Sequence, residues 1–91
     1  MIMNIFDDLI KLARERKVQP LEGSYTNKLL NDKSLSKAKV LEEINELIEA
    51  VENDTNKIHE AADVLYHLIM YFEANNIKIE DVMTELNKRK K

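Results

Sequence analysis

One stretch of the chain concentrates acidic residues without any compensating positive charge. Between Lys39 and Lys57 every charged residue is acidic, and the six are Glu42, Glu43, Glu46, Glu49, Glu52 and Asp54. Like charges three or four residues apart on a helix each cost a few tenths of a kcal/mol, so this stretch carries an electrostatic penalty. A bound cation would offset that penalty.

A second set of acids follows in the segment HEAADVLYHLI, residues 59–69. At about 100° per residue, Glu60 and Asp63 fall on the narrow polar stripe of an otherwise apolar helix. They are three residues apart, as are Glu43 and Glu46 at the edge of the apolar face of the preceding helix. Because a turn of about four residues places two helices antiparallel, the four carboxylates are predicted to converge.

Converging carboxylates supply the hard oxygen ligands that Mg²⁺ prefers. The chain contains no cysteine and no pair of histidines at metal-ligand spacing, so Mg²⁺, with Mn²⁺ as a possible substitute, is favoured over Zn²⁺. Magnesium is usually shared with phosphate, so the predicted chemistry is displacement at a phosphoryl group. Either acidic pair alone is explained by a solvated helix face, but the matched spacing across a short turn favours a metal site.

Two histidines near these acids have other interpretations. His59 opens the sequence HEAAD, which differs from the zinc-protease pattern H-E-x-x-H because Asp63 stands in place of the second histidine. Neither histidine has the Glu three residues before it that a di-iron helix requires. His67, one turn after Asp63, is predicted to be a structural histidine bonded to a carboxylate, with a proton carrier or a phosphate ligand as alternatives.

The elements that must position these residues are helices. The apolar periodicity and the turn residues predict helices over about residues 3–16, 25–33, 36–53, 57–74 and 79–88. Ser24 is the predicted cap of the short second helix, Ser34 or Ser36 begins the next, and side chains between Asn53 and Asn56 cap the fourth. The fourth helix is apolar nearly all round, so part of its cover is expected from a second copy.

Length and composition indicate a single all-α domain covering residues 1–91. A chain of 91 residues buries a modest core, so a bundle of four to five helices completed by homodimerisation is expected. The N-terminal segment is too short and polar to span a membrane, and the absence of cysteine is compatible with the cytoplasm. The net charge of −3 argues against nucleic-acid binding, and the basic residues 88–91 are interpreted as a solvated helix end.

The acids form a recognisable pattern, E-E-x-x-E followed after 13 residues by E-x-x-D. It resembles the signature of the MazG-like all-α nucleoside-triphosphate pyrophosphatases, and its members here are Glu42, Glu43, Glu46, Glu60 and Asp63. Two further segments, GSYTNKLL at residues 23–30 and EAADVLYHLI at residues 60–69, are similar to the phosphoribosyl-ATP pyrophosphatase family.

The resemblance implies a homodimer that uses Mg²⁺ to hydrolyse phosphoribosyl-ATP to phosphoribosyl-AMP and pyrophosphate, the second step of histidine biosynthesis. We expect this homodimer to work in the cytoplasm. By position, it implies that the catalytic metal-binding residues are Glu43, Glu46, Glu60 and Asp63. Glu42 would be a further ligand or a carboxylate just outside the ligands. Lys39 would reach a phosphate, and Tyr25 and Lys28 are weaker candidates for contact with the substrate.

Two residues depart from the family pattern. Leu41 stands where the family usually has Gly, and His59 stands where it often has Glu; we expect activity to survive both. Two alternative functions stay open at this point. One is a house-cleaning pyrophosphatase for non-standard or surplus nucleoside triphosphates, and the other is a catalytically silent helical interaction module.

Overall fold

The structure, a computed structural model, describes residues 3–90. That range contains no strand and folds into five helices: α1 (Met3–Val18), α2 (Tyr25–Asn31), α3 (Lys33–Asn53), α4 (Lys57–Ala74) and α5 (Ile79–Arg89). The predicted all-α class is confirmed. None of these helices is both long enough and apolar enough to cross a bilayer. The ends of the predicted domain, including Lys91 of the basic tail, lie outside the described residues.

The longest helices, α3 and α4, form a hairpin and make the most extensive contact between any two elements of the described chain. Asp54 ends α3 in the left-handed conformation, and its N–H donates to the Val51 carbonyl at 3.3 Å. Asn56 precedes α4, also with positive φ, a conformation that asparagine tolerates better than most residues. The predicted side-chain cap of α4 was wrong at this residue, because in this conformation Asn56 makes no capping hydrogen bond.

The short helix α2 begins as the sequence indicates. Gly23 adopts a φ of 83°, which favours glycine, and turns the chain into the helix. The Ser24 hydroxyl then accepts a hydrogen bond from the Asn27 N–H at 3.3 Å. This confirmed cap fixes the start of the helix at Tyr25.

The start of α3 differs from the prediction. Asp32 is the N-terminal cap, and its carboxylate accepts a hydrogen bond from the Leu35 N–H at 3.0 Å. The predicted start at Ser34 or Ser36 was wrong, because aspartate caps as well as serine and its charge is favoured at a helix N-terminus. Ser36 is buried inside the first turns of the helix instead.

The hydrophobic core lies between three helices, around the C-terminal half of α4. It comprises Ile10 and Ala13 of α1, Leu29 and Leu30 of α2, and Ile69 and Met70 of α4. Burial of the two leucines holds α2 against α4, so the first residues of α2 are fixed beside the middle of α4. Helix α5 contributes no buried residue and reaches this core through Ile79.

The α3–α4 hairpin exposes several large apolar side chains within the single described chain. Its exposed apolar side chains are Leu41, Ile48, Val51, Ile58 and Leu65. Ile58 is the extreme case, with 87% of its surface exposed. The described chain therefore covers α4 on only part of its circumference.

Candidate metal centre

Facing turns of α3 and α4 bring three carboxylates together. Glu43, Glu46 and Glu60 each place an oxygen within 4.8 Å of the other two. Glu43 is 6% exposed at the edge of the apolar face of α3, and the other two are half-buried. The hairpin turn and the i, i+3 spacing thus put acids from both helices around one small volume.

Asp63 lies one turn further along α4 and groups with different neighbours. His59, Glu60 and Asp63 offer ligand atoms within 4.8 Å of one another, and the Nε2 of His59 is 3.4 Å from Oδ2 of Asp63. Glu60 therefore belongs to both groups and joins them into one acidic centre. His59 was not among the residues predicted for the site, although its i, i+4 spacing to Asp63 is the signal that could have found it.

Two oxygens in this centre lack a hydrogen-bond partner. Oε2 of Glu43 and Oε2 of Glu60 are buried without a donor. Burial, and then the adjacent Glu46 carboxyl, raise the pKa of both carboxyl groups above the ordinary value. A buried acceptor left without a partner destabilises the fold, and a divalent cation with oxygen preference would satisfy both atoms. The donor set therefore fits Mg²⁺ or Mn²⁺.

Glu42 lies outside both carboxylate groups. Its Oε2 accepts from the Lys39 ammonium at 2.9 Å, and the same ammonium lies 3.8 Å from Oε1 of Glu43. Hydrogen bonding to Glu42 raises the pKa of Lys39. The structure thus places Glu42 behind Lys39, and Lys39 at the rim of the acidic centre.

The residues predicted to contact substrate on α2 occupy two different positions. Tyr25 lies at the rim of the centre, close enough for the charges of Lys39 and Glu43 to act on its phenol, whose pKa is raised mainly by burial. Its hydroxyl is 2.8 Å from Nε2 of His67. Lys28 is exposed on α2.

His67 is a buried structural histidine, 6% exposed, but its predicted carboxylate partner was wrong. Its Nδ1 donates to the backbone carbonyl of Asp63 at 2.7 Å, and its Nε2 bonds the Tyr25 hydroxyl. The carbonyl four residues earlier lies directly beneath a helical side chain and is closer than any carboxylate of the stripe. The Tyr25 partner, 42 residues away along the chain, depends on the packing of α2.

An all-α bundle whose carboxylates face each other across a helical hairpin agrees with the fold that the resemblance to MazG-like hydrolases implies. Residues 6–90 match the model of the family described as phosphoribosyl-ATP pyrophosphohydrolase. The chain belongs to this family.

Three relatives illustrate the similarity. The phosphoribosyl-ATP pyrophosphatase of Listeria monocytogenes is 43% identical over 93% of this chain and 84% of its own length. The protein of the same name from Clostridium acetobutylicum is 42% identical over 93% of this chain and 80% of its length. A histidine biosynthesis bifunctional protein from Caldanaerobacter subterraneus is 37% identical over 98% of this chain but only 45% of its own length.

Proposed function

We propose that this protein hydrolyses phosphoribosyl-ATP to phosphoribosyl-AMP and pyrophosphate, the second step of histidine biosynthesis, in the cytoplasm. Water attacks the anhydride between the α- and β-phosphates, and the bond between the bridging oxygen and the attacked phosphorus breaks. One of the two products, phosphoribosyl-AMP or pyrophosphate, thus gains the oxygen of the water, and the other leaves with the bridging oxygen. Membership of the family over residues 6–90 supports the substrate. The acidic centre supports the chemistry, because it provides the ligands for a metal that binds phosphate.

We propose Mg²⁺ as the cofactor, with Mn²⁺ as a substitute, held by Glu43, Glu46, Glu60 and Asp63. The single observation that carries this proposal is the pair of buried, unpartnered oxygens on Glu43 and Glu60. When bound there, the ion would neutralise phosphate charge and lower the pKa of a coordinated water. His59, 3.4 Å from Asp63, would hold that carboxylate in place at the exposed side of the centre.

The remaining polar residues of the site would bind the substrate. Lys39 presents a positive charge at the rim of the acids and would bind a phosphate oxygen. Glu42, hydrogen-bonded to that ammonium, would hold Lys39 in position rather than bind the metal itself. Tyr25 at the rim of the centre and Lys28, exposed on α2, would contact the rest of the nucleotide.

We further propose that the protein works as a homodimer. The exposed apolar side chains of the α3–α4 hairpin form a face that a second copy of the same hairpin would cover. The same hairpin carries the acids, so dimerisation would stabilise the element that holds the metal. Light scattering should give twice the chain mass for the wild type and the single chain mass for Ile48→Glu, whereas a monomeric wild type would contradict the proposal.

The function is tested by measuring pyrophosphate release from phosphoribosyl-ATP, ATP, dUTP and dCTP, each with Mg²⁺ and with EDTA. We expect turnover that requires Mg²⁺ and strongly prefers phosphoribosyl-ATP. Preference for a free nucleotide would overturn the substrate and favour a house-cleaning enzyme. No turnover of any nucleotide would overturn the activity and favour a silent interaction module.

A further inference from the structure

A chain of two hydrogen bonds runs from the metal-site helix to α2. The Asp63 carbonyl is 2.7 Å from Nδ1 of His67, and Nε2 of His67 is 2.8 Å from the Tyr25 hydroxyl. The imidazole is buried, whereas Tyr25 as a whole is 43% exposed. The buried ring thus holds the polar end of an accessible side chain.

The chemistry of the three groups sets the direction of both hydrogen bonds. A backbone carbonyl can only accept, so Nδ1 of His67 carries the hydrogen. In the neutral imidazole Nε2 then has only a lone pair and must accept from the Tyr25 hydroxyl. The raised pKa of Tyr25 keeps the phenol protonated at neutral pH, so it has the proton to donate. The Tyr25 oxygen is left with lone pairs and no free hydrogen.

An oxygen with only lone pairs discriminates between the parts of a nucleotide. Phosphate oxygens that carry no proton are acceptors, so they cannot bond to it directly. Ribose hydroxyls and base amino groups are donors, so they can. Lys39, the cation nearest the acidic rim, does not donate to the Tyr25 oxygen. Its ammonium is hydrogen-bonded to Glu42 at 2.9 Å and lies 3.8 Å from Glu43.

We infer that Tyr25 recognises a hydrogen-bond donor on the nucleoside part of the substrate, a hydroxyl or amino group, and that His67 is the positioning residue that imposes this preference. The inference deepens the proposed function and rests on it for the identity of the nucleotide. It assigns to His67 a role in substrate selection through Tyr25, without contact with the substrate.

The structure supplies a matched control. Thr26 and Tyr66 also join α2 to α4 through a hydrogen bond between their hydroxyls. Tyr66 packs against the hydrophobic core, whereas Tyr25 is acted on by the charges of the acidic rim. The Tyr66 ring also contacts Tyr25 and His67, at centroid distances of 6.5 and 5.1 Å, and phenylalanine would keep these ring contacts. The Tyr66→Phe variant therefore removes an equivalent hydrogen bond between the same helices and leaves the bond between Tyr25 and His67 in place.

The tautomer can be tested without any catalytic assay. Nitrogen-15 NMR of the whole protein at neutral pH, with the His67 signals assigned by their loss in His67→Gln, reports the protonation of each ring nitrogen. We expect hydrogen on Nδ1 and a lone pair on Nε2. Hydrogen on Nε2, in either the other tautomer or the imidazolium, would overturn the inference because Tyr25 would then accept from His67.

The selection is tested by calorimetric binding of ATP, 2′-deoxy-ATP, 3′-deoxy-ATP, purine riboside triphosphate and tripolyphosphate in the presence of Mg²⁺. For Tyr25→Phe we expect ATP affinity to fall roughly threefold to tenfold, the range for one neutral hydrogen bond, with tripolyphosphate unchanged. For the one analogue that lacks the recognised donor, the wild type and Tyr25→Phe should bind with equal affinity. An equal loss for tripolyphosphate, or a loss that no analogue removes, would overturn the inference.

Kinetics with phosphoribosyl-ATP separate positioning from stability. Tyr25→Phe and His67→Leu should each raise KM roughly threefold to tenfold with little change in kcat, and the double variant should be no worse than either. His67→Gln, whose amide oxygen can accept from Tyr25, should recover part of the loss, and Tyr66→Phe should behave as wild type. Additive losses, or an equal loss in Tyr66→Phe, would contradict the assignment.

A wild type that binds ATP selectively but does not hydrolyse phosphoribosyl-ATP would overturn the proposed function alone.

Discussion

Two regions of the molecule bury acidic side chains to the same extent but treat them in opposite ways. Glu43, in the acidic centre of the α3–α4 hairpin, is 6% exposed, and Glu73, where α4 meets α1 and α5, is 5% exposed. Oε2 of Glu43 has no partner, whereas Glu73 is paired with Arg14 at 3.3 Å. Arg14 also bonds both oxygens of Glu80, at 2.7 and 2.9 Å.

The pKa of Glu80, the exposed carboxylate that also binds Arg14, contrasts with that of Glu43. Burial raises the pKa of Glu43, whereas the hydrogen bonds from Arg14 lower the pKa of Glu80 from 4.5 to about 2. At the α1–α4–α5 corner the cation is part of the chain, so its acids stabilise the fold. In the hairpin Lys39 and His59 lie at the edges of the acidic centre, but Oε2 of Glu43 and Oε2 of Glu60 have no partner within the described chain. We therefore expect these two acids to weaken the fold as long as no cation from solution is bound. We therefore attribute the presence of Glu43 and Glu60 in the hairpin to function rather than to stability.

The largest expected effect comes from neutralising a proposed metal ligand. Glu46→Gln and Asp63→Asn should each lower turnover of phosphoribosyl-ATP about 100-fold or more, because even residues behind the ligands of a metal contribute 10-fold to 100-fold. Circular dichroism should show an unchanged helix content. Glu49→Gln, on the exposed side of α3, is the matched control and should retain activity. Near-normal turnover in Glu46→Gln or Asp63→Asn would remove that residue from the site.

At the α1–α4–α5 corner, the same logic predicts a loss of stability instead of activity. Arg14→Ala leaves the Glu73 carboxylate buried without its cation, so the free energy of unfolding in urea should fall by about 1–3 kcal/mol. Arg89→Ala is the control, because its pair with Glu85 is exposed and should change stability by less than about 0.5 kcal/mol. Equal losses of stability in the two variants would show that the pair of Arg14 with buried Glu73 stabilises the fold no more than an exposed ion pair does.

Neutralising one buried acid in each region should change stability in opposite directions. In EDTA, Glu43→Gln removes the repulsion from Glu46 and should raise the free energy of unfolding by about 0.5 kcal/mol. Glu73→Gln, which weakens the pair with Arg14, should lower it. Destabilisation by both substitutions would mean that Glu43 is already paired in the metal-free protein.

The smallest expected effect is a pH dependence at Glu80. Because its pKa in the folded state is lowered to about 2 from 4.5, its stabilising contribution is complete above pH 4.5 and disappears as the pH falls to about 2. The melting temperature of Glu80→Gln should therefore be slightly below that of the wild type at pH 7. The difference should shrink below pH 4.5, and a difference independent of pH would contradict the pairing.

The sequence predicts most of the fold because its signals are local. The apolar periodicity marks the helices, and Ser24 is a cap that no neighbouring residue rivals. At the start of α3, Asp32, Ser34 and Ser36 are all good caps, so the sequence could not choose the correct one. The two acidic pairs could be located because a short turn between long helices leaves one arrangement for the hairpin.

What the sequence missed depends on contacts between distant elements. The bond between Tyr25 and His67 requires the packing of α2 on α4, which no local spacing specifies. The pairing of Glu42 with Lys39, by contrast, is an i, i+3 contact that the sequence could have indicated. How many cations the hairpin acids would hold depends on atomic positions that the residue spacing does not fix.

The central claim is that Glu43 and Glu60 each keep a buried oxygen unpaired because they bind a divalent cation, and it is tested most directly by electron paramagnetic resonance of Mn²⁺ added to the protein. We predict that the wild type binds Mn²⁺, that Mg²⁺ displaces it, and that Glu43→Gln/Glu60→Gln weakens binding at least about tenfold. Glu73→Gln, which changes a carboxylate of equal burial at the α1–α4–α5 corner, should bind as the wild type does. No binding by the wild type, or the same affinity in the double variant, would contradict the account.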